Sequence, residues 1–143
     1  MYDGGGGPSD SVLTRWFRFE TGRMNGGVAA ESRSLAELLE DPAPSVRTRD
    51  GGRLILDRSV LQDFSHRLPP GMGHRLRLPV LFYQDINQPA SCELRSDAAL
   101  EAFQALGEIS SLYQMDKGTV FLSTPLARNL ERRYPTLVQV MFR

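Results

Sequence analysis

Arginine carries nearly all the positive charge of this chain: of its 17 lysine and arginine residues, only Lys117 is a lysine. A guanidinium group is planar, always charged, and meets a phosphate with two parallel N–H donors. Clustered arginines are therefore candidate anion-binding groups. Arg128, Arg132 and Arg133 fall together near the end of a helical pattern, with Tyr134 beside them. Arg15 and Arg18 share one face of an earlier helical pattern. Arg47 and Arg49 project from one side of an extended segment, and Arg75 and Arg77 precede another. Like charges four apart cost an isolated helix roughly 0.2–0.5 kcal/mol, so helix stability does not call for the Arg128–Arg132 pair. The chemistry these residues suggest is contact with phosphate, with the Tyr134 ring as a surface for a stacked base. The competing account is a GC-rich codon bias that replaces lysine, with the arginines in solvated faces and ion pairs and Tyr134 packed behind Pro135.

Other chemistry is poorly represented. His66 and His74 lie eight apart around Pro69-Pro70-Gly71, the wrong spacing for a helical ligand pair, and no third ligand stands near them. A single Cys92 excludes an internal disulfide and a cysteine-based zinc site. It sits in an apolar/polar alternation where a thiol packs as a small apolar group, and no neighbour in sequence would lower its pKa. Ser110-Ser111 lack a nucleophile-elbow context. Gly4–Gly7 is followed by no Gly-Lys-Ser/Thr and preceded by no strand, so it is not a phosphate loop. No residue set nominates itself as catalytic, metal-binding or cofactor-binding.

The elements that must position the arginines are marked by turn and cap residues. Residues 1–8, with four consecutive glycines, read as a disordered tail, and residues 9–143 as one domain. Val12, Leu13, Trp16 and Phe17 form an apolar stripe at helical spacing, stopped by Asn25-Gly26-Gly27. Ser34 and Glu37 have capping-box spacing, opening a short helix from Leu35 to about Glu40. Pro42 and Pro44 then hold the chain extended. Three strand–strand–helix units follow. Val46–Arg49 and Arg53–Leu56 pair around Asp50-Gly51-Gly52, before a helix from Arg58 to Arg67 capped by Asp57. Leu78–Gln84 and Ser91–Arg95 pair around Asn87-Gln88-Pro89, before a helix to about Leu106 capped by Ser96 or Asp97. Ile109–Met115 and Thr119–Ser123 pair around Asp116-Lys117-Gly118, before a helix from Pro125 to Arg133 capped by Thr124. Thr136–Phe142 is a last strand. The fold class expected is α+β: a mainly antiparallel sheet built from these units and preceded by an N-terminal helix.

The hydrophobic fraction of 41% supports a packed core, and a net charge of zero provides no global field for nucleic acid or anionic lipid. No apolar run reaches the ~18 residues of a membrane span, and no secretory signal opens the chain. A cytoplasmic protein with no membrane partner is expected. Strands such as Val80-Leu81-Phe82-Tyr83 are apolar on both faces, which calls for helices on both sides, a closed barrel or a subunit contact. The last strand carries no charge before Arg143, so it belongs either at the sheet's centre or at an edge that pairs with a second copy.

Over more than 100 residues the order of motifs resembles one family. A helix ends in Met24-Asn25; Arg33-Ser34-Leu35-Ala36-Glu37-Leu38-Leu39, Pro44-Ser45-Val46, Asp50-Gly51-Gly52 and Leu76-Arg77-Leu78-Pro79-Val80 follow; Arg133-Tyr134-Pro135-Thr136, Gln139 and Phe142 close the series. This is similar to the archaeal family called Domain of Unknown Function sixty-one. The resemblance implies an archaeal, cytoplasmic, single-domain protein and implies no particular activity. Relatives carry a basic run before the Leu-Ala-Glu-Leu-Leu helix; here that stretch is Val28-Ala29-Ala30-Glu31-Ser32-Arg33, and most of its charge is gone. The function expected is a non-catalytic binding module for RNA or a ribonucleoprotein surface, through Arg15, Arg18, Arg128, Arg132, Arg133 and Tyr134. The alternatives are a protein-interaction or homodimer module, and an enzyme whose site the sequence does not reveal.

Overall fold

A computed structural model describes residues 28–142. The expected tail, the helix over 9–24 with Arg15 and Arg18, and Arg143 lie outside the described residues. The described chain runs β1 (Arg33–Ser34), α1 (Leu35–Glu40), β2 (Ser45–Arg47), β3 (Arg53–Ile55), α2 (Arg58–His66), a 3-10 turn (Met72–His74), β4 (Arg77–Leu78), β5 (Val80–Asp85), β6 (Gln88–Leu94), α3 (Asp97–Ala105), β7 (Gln114–Asp116), β8 (Thr119–Ser123), α4 (Thr124–Arg133) and β9 (Val138–Phe142). It is an α+β fold. β7-β8-β6-β5-β9 form a five-stranded sheet in that order, and β1–β4 and β2–β3 form two small ladders. Every pairing is antiparallel except β5 with β9.

The helices begin where side chains can satisfy free N–H groups. Ser34 accepts from the Glu37 N–H, Asp57 from the Ser59 and Val60 N–H groups, and Ser96 from the Ala99 N–H. At α4 the cap is Ser123, which accepts from the Leu126 N–H. The expected cap, Thr124, instead lies in the first turn. Its hydroxyl donates to the Pro89 carbonyl at 2.7 Å, so a tertiary contact has claimed the group that sequence assigned to the helix.

Turn chemistry sets the hairpins. Between β2 and β3 only Gly51 takes a positive φ, +88°, with the Gly51 N–H donating to the Thr48 carbonyl and the Thr48 N–H to the Gly52 carbonyl. This is a longer loop with a single left-handed residue, and Asp50 is not one of its positive-φ positions. Lys117 and Gly118, at φ 50° and 82°, make the tighter two-residue turn between β7 and β8. β6 starts earlier than expected, at Gln88, because the β5–β6 turn falls on Ile86-Asn87. The expected strand from Leu78 is split at Pro79. This residue has no N–H to donate, and here the chain leaves the β1–β4 ladder for the large sheet. The three strand–strand–helix units are therefore present in chain order but not equivalent in space. The first hairpin keeps its own ladder, while the other two merge through β6–β8.

On β5 the side chains alternate. Val80, Phe82 and Gln84 are buried, whereas Leu81, Tyr83 and Asp85 are half-buried. The buried face continues through Cys92 and Leu94 of β6 and Val120 and Leu122 of β8. α4 packs on β6, β8 and β9 and buries Ala127 and Leu130. Phe64, Phe103 and Tyr134 pack ring against ring, with centroids 5.8–6.2 Å apart, and tie α2 and α3 to the end of α4. Such pairs add about 0.5–1.5 kcal/mol each beyond their area burial.

Candidate functional site: an arginine-lined cleft

Leu76 and Leu78 are fully buried, and Arg75, closing the 3-10 turn, and Arg77, alternating with Leu78 on β4, are exposed. Arg95 leaves the end of β6 immediately before the Ser96 cap of α3. These three arginines, with Ser32, Tyr83 and Ser96, line a cleft of about 220 Å³. Their partners differ. Arg75 makes a fork-to-fork pair with Glu101, at 3.1 and 2.6 Å, in which both side chains are about half exposed. The pair holds the Arg75 pKa above and the Glu101 pKa below their usual values, each mainly through the hydrogen bond to the other. Arg95 meets Glu93 at 2.6 Å and lies over the Tyr83 ring, 5.7 Å from its centroid. Arg77 donates to the hydroxyl and the carbonyl of Ser32, both neutral, and forms no ion pair among the described residues. Among the described residues no acid compensates its charge, and the Arg95–Tyr83 guanidinium–aromatic contact lines the same cleft.

The arginines of α4 sit in a different setting. Arg128 donates to Glu131 at 3.1 Å and to the Gln84 side-chain carbonyl at 3.2 Å, and it lies over the Phe142 ring. Glu131 also accepts from the Val140 N–H at 2.9 Å. Arg133 forks onto Glu108, and the same carboxylate accepts the Tyr134 hydroxyl at 3.0 Å. Burial, followed by this hydrogen bond, raises the Tyr134 pKa. Arg132 is exposed and forms no ion pair among the described residues. Of the three expected α4 arginines, two are engaged by acids that also bind the frame. Arg47 meets Glu31, at 3.4 Å, away from the cleft lining.

The remaining candidates have structural surroundings. Cys92 is fully buried with its sulfur 3.8 Å from the Thr124 hydroxyl, and burial raises its pKa. His66 ends α2, and His74 lies in the 3-10 turn. No group of three His, Cys, Asp or Glu residues suited to a metal occurs among the described residues. No described helix is long and apolar enough to cross a membrane.

Residues 14–142 match the profile of the family described as "Protein of unknown function DUF61". The chain belongs to this family. Among DUF61 relatives, it is 29% identical over 134 residues to UPF0216 protein MK1676 of Methanopyrus kandleri, covering 93% of this chain and 88% of the relative. It is 26% identical over 130 residues to UPF0216 protein PF0452 of Pyrococcus furiosus, covering 91% and 95%. The fold is similar to the solution structure of an archaeal DUF61 family protein, SSO0941, with a TM-score of 0.60 at 16% identity over 98% of this chain and 83% of that one. In this DUF61 chain the sequence pattern marks Arg75 and Arg77 as candidate anion contacts but not Arg95, Tyr83, Ser32 or Ser96. Arg95 carried a usable signal, an arginine between the end of an alternating strand and a serine cap. Its convergence with Arg77 depends on β4 and β6 arriving at the same end of β5.

Proposed function

We propose that this protein is a non-catalytic binding module that holds RNA, free or at a ribonucleoprotein surface, through the phosphate backbone. The observation that supports this reading is Arg77. Its guanidinium lines a cleft with Arg75 and Arg95 and, among the described residues, donates to the neutral oxygens of Ser32 and meets no acid. A phosphate oxygen there would gain charge-assisted hydrogen bonds that no described acid already takes up. The Arg95–Tyr83 stack offers a neighbouring flat surface of the kind on which unpaired bases lie. Arg132, with Arg128, Arg133 and Tyr134, is a second candidate surface for the same ligand; Arg15 and Arg18, outside the described residues, remain candidates from their sequence pattern.

The test is titration of a mixed-sequence single-stranded oligoribonucleotide, followed by fluorescence anisotropy over a range of salt. Affinity should fall as salt rises, with a log–log slope that loses about 0.7 for each phosphate contact removed. Arg77→Ala with Arg95→Ala should weaken binding to all sequences alike. Arg128→Ala with Arg132→Ala should have a smaller effect. If the α4 variant alone loses binding, the cleft is the wrong site. Absence of binding at low salt would refute the RNA reading altogether.

A further inference from the structure

The two edges of the five-stranded sheet are finished differently. At the β9 edge, the Val138 N–H donates to the Tyr134 carbonyl at 2.9 Å and the Val140 N–H to the Glu131 carboxylate at 2.9 Å. Donors that would recruit another strand are already spent on α4 and its cap. At the opposite edge, β7 pairs with β8 alone, and all three of its residues are exposed. The two-residue turn at Lys117-Gly118 makes Asp116 and Thr119 the flanking hydrogen-bonded pair. In an antiparallel ladder such pairs alternate, so the N–H and C=O of Met115 point away from β8. No hydrogen bond from another described residue reaches them. The same segment exposes large apolar side chains: Leu112 is 86% accessible, Met115 53% and Tyr113 37%.

We infer that the β7 edge is a self-association surface, on which β7 of a second copy of this chain adds antiparallel about a two-fold axis at Met115. Two observations select a second copy over another extended peptide. The first is closure. With the Val138 and Val140 donors of β9 engaged, joining β7 to β7 about a two-fold axis uses the open β7 edge of both copies, a closed arrangement rather than a filament. The second is charge. In the register that places Met115 opposite Met115 of the partner subunit, Asp116 faces Gln114, so no like charges meet within the strand. The three-residue strand provides little area, so the dimer is weak and concentration-dependent.

Sedimentation velocity of the full chain, from low to high micromolar concentration, tests the inference. The weight-average sedimentation coefficient should rise from the monomer toward the dimer value. Met115→Lys sets lysine against lysine at the two-fold axis and should remain monomeric at every concentration, with unchanged thermal stability because the side chain is exposed. Met115→Cys should form a disulfide-linked dimer under mild oxidation, whereas the unmodified protein, whose native thiol is buried, should not. An unmodified protein that stays monomeric throughout would overturn the proposal. So would a Met115→Lys protein that dimerises as well as the original.

Discussion

The arginines at the end of α4 and those around the cleft carry the same charge but face different acceptors. Glu131 holds Arg128 and an N–H of β9; Glu108 holds Arg133 and the Tyr134 hydroxyl. Each of these acids joins a guanidinium to a second part of the frame, and the Glu108 side chain is only 9% exposed. At the cleft, the Arg75–Glu101 pair is exposed on both sides, where such a pair contributes little to stability, and Arg77 meets no acid among the described residues. Arginine clustering in sequence therefore reports two things that composition cannot separate: ion pairs that complete a fold, and charge that no described acid compensates. The neighbour of each guanidinium distinguishes them.

The largest effect that bears on this contrast is at the aromatic contact beneath α4. Phe103→Ala should destabilise the protein by about 3–5 kcal/mol in chemical denaturation, because it leaves a cavity under Tyr134 as well as losing its own burial. A loss below 1 kcal/mol would mean that this region does not hold the end of α4, and the contrast would fail on its structural side. Glu108→Ala comes next. It strips both Arg133 and the Tyr134 hydroxyl of their shared acceptor and should cost about 1–3 kcal/mol. RNA affinity should not decrease, since a negative charge has been removed; a decrease would show that Glu108 positions a binding residue. The smallest effect is at the cleft. Arg77→Ala should change folding stability by no more than about 0.5 kcal/mol, the range of ordinary surface substitutions. A larger loss would show that the Ser32 contacts of Arg77 hold β4 in place, making it a structural arginine as Arg128 and Arg133 are.

Much of the fold was legible because its signals are local. Ser34, Asp57 and Ser96 cap helices within two or three residues of themselves, Gly51 marks its hairpin, and Leu35–Glu40 begins and ends between a serine cap and a proline. Local signals failed where a distant group competed. Thr124 gave its cap role to Ser123 because its hydroxyl reaches Pro89. The expected strand from Ile109 contracted to Gln114–Asp116, since the Glu108 and Ile109 N–H groups turn back to the Phe103 carbonyl.

By itself the sequence determined the α+β class, the family and the order of the helices and main hairpins from Leu35 onward, because caps, turns and period-two or period-3.6 burial act over a few residues. Tertiary structure alone decided that β9 lies parallel to β5 at an edge, that β7 is the other edge, and that Arg75, Arg77 and Arg95 share a cleft. These facts depend on which strands become neighbours across 15 to 60 residues of chain. That choice is made by the burial of Phe82, Leu94, Phe103 and Val138 in one common core, and no short window of sequence contains it.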